Sequence, residues 1–173
     1  MRDTLAALRA DIAVAQTLAD LAALALRLPR GPTGARDRGP DPRERSPYRR
    51  YVSCDHAVLV GRGAADNDVL TTKIARPHDL WLHAKGVTGA HVVVPLQKGE
   101  AILADLLVDA AHLAAHFSDA RGETIVEVMY VHRRYVRKPR KAPPGAVTVE
   151  REKVLVLRVE PERVARLLAS AEG

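Results

Sequence analysis

"ARPHDLWLHAKGVTGAHVVVP", residues Ala75–Pro95, holds two apolar runs around a glycine-containing turn, and its reading decides the fold. Read as a strand, it alternates: Leu80 and Leu82 point to one face, and Asp79, Trp81 and His83 to the other. "AHVVVP" is a second, buried strand closed by Pro95. If the two pair, His83 and His91 approach each other. The leucines belong to a core, which leaves an Asp, a Trp and a His together on the opposite face. Two readings of that face stay open. A solvent-side indole can stack on a base or ribose while an imidazole or lysine meets a phosphate. Alternatively, Trp81 covers a second apolar layer with its N–H bonded to Asp79. Between the strands, Gly86 and Gly89 allow close backbone approach, either to face N–H groups toward an anion or simply to turn a hairpin.

Outward from this stretch, residues from Tyr48 on continue as short strands broken by turn residues. "HAVLVGR" is apolar and β-branched. "DNDVLTTKIA" is a further short strand behind a turn at Asn67 and Asp68. "KGEAILADLLVDAAHLAAHFSDARG" instead carries a helical stripe from Ile102 to Phe117 that ends before Gly122. "TIVEVMYVHRRYV" and "KVLVLRV" are two more strands, and "GAVTVER" is expected to partner the second across a turn at Arg151 and Glu152. Pro161 then opens a short last helix. Strands interrupted by one long helix predict an α+β fold, a mainly antiparallel sheet with one covering helix.

Three segments are expected. Residues 1–28 form a helix whose Leu5, Leu8, Ile12, Ala15, Ala19, Ala22 and Leu26 make a heptad seam of about three heptads. That seam suits a short coiled coil with a second chain, a homo-oligomer or protein partner through residues 3–28, or docking on its own domain. Residues 29–47, with five Pro and three Gly between Pro29 and Pro47, are a linker. Residues 48–173 are the folded domain.

The formal charge is +6, and its distribution is uneven. Arg27–Arg50 hold eight Arg against three acids, and "RRYVRKPRK" at 133–141 holds six cations with no acid. Such local basicity is the footprint of a phosphate-bearing partner. One cysteine, Cys54, excludes an internal disulfide and a cysteine-based zinc cluster. Acids interrupt the N-terminal apolar run, and no stretch approaches the roughly 20 apolar residues of a membrane span. A cytoplasmic protein is expected.

No assembled active site and no cofactor are legible. His78, His83 and His91, or two of them with Asp79, are suitable metal donors, but no H-x-x-x-H spacing puts them on one helix face. "GRGAAD" at 61–66 lacks the third glycine of a dinucleotide fingerprint and is followed by no helical stripe.

Six ordered motifs carry a family resemblance: V-G-R at Val60–Arg62, N-D at Asn67–Asp68, L-T-x-K at Leu70–Lys73, D-x-W-x-H at Asp79–His83, G-x-H at Gly89–His91, and K-P followed by P-G-x-V within Lys138–Val147. From about Tyr48 to Val159 the chain resembles the RNA-binding (R) domain of the NFACT family, found in ribosome-associated quality-control factors and fibronectin-binding-like proteins. It departs at Gly63, where the family usually has Asn, and at Ala90, where it usually has Ser. The resemblance implies a stand-alone, non-enzymatic module that binds tRNA or ribosomal RNA, in contact with the ribosome, in translation or its quality control. Phosphate contacts are expected from Arg49, Arg50, Arg62, Lys73, Arg137, Lys138 and Lys141, with Asn67 and Lys85 beside them. Trp81, His83 and His91 would form the selective patch, oriented by Asp79. The competing expectation is an RNA-modifying or RNA-processing enzyme, or its accessory, using Asp79, His83 and His91 as acid, base or metal ligands.

Overall fold

A computed structural model describes residues 45–172. The predicted helix at 1–28 and nearly all of the 29–47 linker lie outside the described residues. Among those described, the order is β1 (Tyr48–Ser53), β2 (His56–Gly61), α1 (Ala64–Val69), a π-helical turn (Leu70–Ile74), β3 (Leu80–Ala84), β4 (Val92–Val94), α2 (Ala104–His116), β5 (Ile125–His132), a 3-10 turn (Arg133–Tyr135), β6 (Val136–Arg137), β7 (Thr148–Val149), β8 (Lys153–Arg158) and α3 (Pro161–Ala169). The class is α+β, as expected.

Six strands form one sheet in the order β1-β2-β4-β3-β5-β8, antiparallel at every pairing. β1 and β2 join through Cys54 and Asp55, both at positive φ, the combination that a two-residue hairpin matching strand twist requires. β3 and β4 pair as predicted, with Leu82 opposite Val92. One step further along that register, His83 faces His91.

The alternation of β3 holds, and both faces are covered. Leu80, Leu82 and Ala84 pack with Val58, Val60, Val92 and Val128 under α2, whose Leu106, Ala110, Leu113 and Ala114 are fully buried. Trp81 points to a second, thinner layer with Leu59, Leu70, Val93, Val131 and Val136, against which Val147 and Val149 pack. The π turn contributes Leu70 to that layer, and the small β6–β7 sheet contributes Val136 and Val149.

Two expectations about elements are corrected. "DNDVLTTKIA" is helical: its Thr71, Thr72 and Ile74 favour strand locally, but burial of Leu70 and Thr71 against the sheet overrides that preference. A helix therefore does follow "GRGAAD", though α1 runs only six residues. "GAVTVER" supplies β7, which pairs with β6 rather than with "KVLVLRV". The latter is β8, the outermost strand beside β5.

At the far end, α3 is fastened to α2 through Asp109. This buried carboxylate accepts from Ser53 Oγ (2.5 Å), Arg163 Nη1 (3.1 Å) and Arg166 Nη2 (2.9 Å).

Candidate nucleic-acid interface

The motif residues of the second layer bond mainly to one another. Trp81 Nε1–H donates to Thr71 Oγ1 (3.2 Å), and Thr71 Oγ1 lies 2.7 Å from His91 Nδ1. The Gly145 carbonyl, 3.1 Å from Nε2, can only accept, so Nε2 carries the proton of the neutral ring and the Thr71 hydroxyl donates to Nδ1. His91 is then the Nε2–H tautomer. Asn67 accepts from the His91 backbone N–H (3.0 Å) and donates to the Gly89 carbonyl (3.2 Å). Asp68 accepts from Gly145 N–H (3.1 Å) and pairs with Lys138 Nζ at 3.0 Å. Arg133 Nε donates to the Thr71 carbonyl (2.6 Å).

The glycines of the motifs are sites of close approach. A Cβ on Gly61 would fall 1.9 Å from Asn67 Oδ1, and one on Gly89 2.7 Å from Ser118 Cβ. Gly145 takes φ +80 against Ala64.

Above this network lies a groove of roughly 940 Å3. Trp81, His83, His91 and Met129 line its floor, and two loops wall it, 86–90 and 144–147. The first loop is pinned to the C-terminal end of α2 by Ala90 N–H on the Phe117 carbonyl and Asp119 N–H on the Thr88 carbonyl, both 2.9 Å. The floor is neutral at physiological pH. Burial, and then the neighbouring His83, lower the His91 pKa to about 4. Burial also lowers the His83 pKa, against contacts with Gly89 and Ala84 that raise it. The His83 ring stacks on Trp81 (5.9 Å) and meets His91 edge-on (5.5 Å).

The rim is cationic. The Arg49 guanidinium lies 5.1 Å over the Phe117 ring. Arg62 donates its Nε–H to the carbonyls of Ser46 and Tyr48, leaving its terminal nitrogens for other partners. Both arginines act on Tyr51, whose hydroxyl pKa is raised by burial and partly drawn back by these two charges. Arg121 acts on His116, whose pKa falls through burial and then through that positive charge. The rings of Tyr51 and His116 both contact Phe117, at 6.0 and 4.9 Å. Three guanidiniums, those of Arg49, Arg62 and Arg121, thus line the groove.

Of the predicted site residues, Arg49, Arg62, Asn67, Trp81, His83 and His91 line the groove. Several assigned roles are corrected. Trp81 and His91 are each 1 % exposed, so the indole presents no face to a base, and both His91 nitrogens have protein partners. Asn67 is likewise occupied by backbone groups. Asp79 bonds neither the His83 or His91 imidazole nor the indole, and its Oδ1 lies 3.9 Å from His78 Nε2. It is buried, accepting from Arg76 N–H (2.7 Å) and Leu96 N–H (3.1 Å), and so shapes the loops flanking β3 and β4. Lys138 spends its ammonium on Asp68, the Pro143 carbonyl (2.5 Å) and the Ala146 carbonyl (3.0 Å), leaving no proton for a phosphate. Arg50 is ion-paired with Glu172. Lys85 and Arg137 are exposed and paired with Glu127 (3.6 Å) and Glu150 (3.8 Å). Lys73 and Lys141 are exposed outside the groove lining. Among the described residues, no group of three His, Cys, Asp or Glu side chains is gathered to hold a metal ion.

Sequence reasoning missed Arg121, His116 and Phe117. His116 ends α2 and the other two follow it, and the Gly89–Ser118 bridge together with the Ala90–Phe117 and Thr88–Asp119 hydrogen bonds brings this segment to the glycine loop.

Residues 48–151 match the NFACT protein RNA binding domain. The chain belongs to the NFACT RNA-binding domain family. Within the family it is similar to "Rqc2 homolog RqcH" of Streptococcus suis (38 % identity, 68 % of this chain, 21 % of that protein) and of Bacillus subtilis (34 %, 65 % and 19 %). It therefore spans about a fifth of the length of these curated relatives. A solved structure described as the C-terminal part of the fibronectin/fibrinogen-binding protein from Streptococcus suis aligns with a TM-score of 0.66 at 33 % identity, over 72 % of this chain and 50 % of that one. The V-G-R, N-D, L-T-x-K and G-x-H motifs of this NFACT domain thus mainly build the inner layer, and the groove above them is its candidate RNA site.

Proposed function

We propose that the chain is an RNA-binding module, contacting tRNA or ribosomal RNA in ribosome-associated quality control in the cytoplasm. The observation that carries this reading is the groove itself, lined by Arg49, which lies over Phe117, and by Arg62 and Arg121, with a floor without charge. Cations clustered on one surface supply the salt-dependent attraction to a phosphate backbone, and a neutral floor leaves room for a base or sugar. Arg49, Arg62 and Arg121 contact phosphates directly, Lys73 and Lys141 extend the basic track, and His83 faces the nucleotide. Residues 48–173 form the binding domain.

Titration of tRNA binding against salt tests the reading. With about five phosphates neutralised, log affinity falls against log salt with a slope of roughly −3.5 to −4.5. A slope near zero, or no binding at low salt, rejects it.

A further inference from the structure

The groove separates charge along its depth, and this bears on which form of RNA enters it. Arg49, beside Phe117, and Arg62 and Arg121 line it, and its floor holds two neutral imidazoles and a buried indole. A phosphate at the floor would be desolvated without a cation, which is costly. A neutral heterocycle or ribose there loses little and gains contact with His83, Met129 and Val147. The charge pattern therefore sorts a nucleotide: phosphates outward, base or sugar inward. Roughly 940 Å3 walled by two loops is the size of a small-molecule pocket. It does not accommodate an A-form helix, whose bases are stacked and paired away from such a recess. Asp119, also in the lining, disfavours phosphate at its own position.

Resting on the RNA-binding reading, we infer that the groove takes one unstacked nucleotide of a single-stranded segment, with its phosphates at Arg49, Arg62 and Arg121 and its base or ribose against His83. The site thus selects unpaired RNA over duplex.

Trp81, the single tryptophan of the chain, lies under the floor and reports occupancy. The full chain is titrated at fixed salt with a short single-stranded oligoribonucleotide and with the blunt duplex of the same sequence. Anisotropy of labelled RNA and Trp81 emission are both followed. The expected result is roughly tenfold tighter binding of the single strand, the scale of one stacked base, with saturable change in Trp81 emission at the same midpoint. His83→Ala should lower single-strand affinity roughly tenfold, toward that of the duplex. Equal affinity for the two RNAs with unaltered Trp81 emission overturns the inference and leaves the RNA-binding reading standing. Absence of binding to either RNA at low salt overturns both.

Discussion

At Gly61 a single methyl group would collide with the amide that fixes His91. Its Cβ position lies 1.9 Å from Asn67 Oδ1, and that oxygen accepts the His91 N–H. Overpacking of a buried site costs about 1–3 kcal/mol. Gly61→Ala should therefore lower the stability measured by urea unfolding by at least that amount, and Gly63→Ala, where a Cβ meets nothing within 4 Å, should change it far less. His91 also ties stability to pH. Its pKa falls from 6.5 in the unfolded chain to about 4 in the fold. The unfolded state therefore binds the proton first as pH drops. The stabilisation from a neutral His91 is complete above about pH 6.5 and is lost progressively down to about pH 4. By linkage this amounts to roughly 3 kcal/mol. His83, also lowered, adds loss of the same sign. His56, raised by the Cys54 carbonyl and Glu100, opposes it. Urea midpoints measured between pH 7 and 4 should fall, and the fall should shrink in His91→Gln.

At the scale of elements, the loop between β6 and β7 shows why basic residues near a site are not interchangeable. Lys138 and Arg121 look alike in composition. Lys138 closes the loop by binding Asp68 and two carbonyls, whereas Arg121 stands on the rim. Lys138→Ala should weaken RNA binding by loosening a groove wall while leaving the salt slope unchanged. Arg121→Ala should make the slope less negative by roughly 0.7–0.9. Equal slope changes in the two variants would count against this division. The same elements mark how far the sequence was legible. Alternation in β3 gave both faces of the strand, and the apolar stripe at 102–117 gave α2, because both signals are local. The covering of the Trp81 face was not legible: Leu70, Val136, Val147 and Val149 come from segments far apart in the chain, each too short to show a period. β6 and β7 are two residues each, below the length at which strand pairing can be read. Residue types suitable for contact with RNA, such as Trp81, Asn67 and Lys138, turned out to build the layer beneath the contact surface.

Across the whole described domain, one sheet is shared by two apolar layers. Trp81 lies in the thinner layer, while most helical residues lie on the other side or in α3. If the sheet couples the layers, Trp81 emission and far-ultraviolet circular dichroism should trace coincident urea transitions, as a two-state domain does. A separate early change in Trp81 emission would show that the layer beneath the RNA groove melts independently. Among the described residues, β8 is also the last strand of the sheet. β8 exposes Val154 and Val156, the latter by 63 %, and such an edge invites pairing with another chain. Its sequence runs from Lys153 to Arg158. Two copies meeting there in the symmetric antiparallel register would set Lys153 directly against Arg158 at both ends, and like charges so placed repel. The terminal cations of β8 thus disfavour that symmetric pairing of two apolar margins.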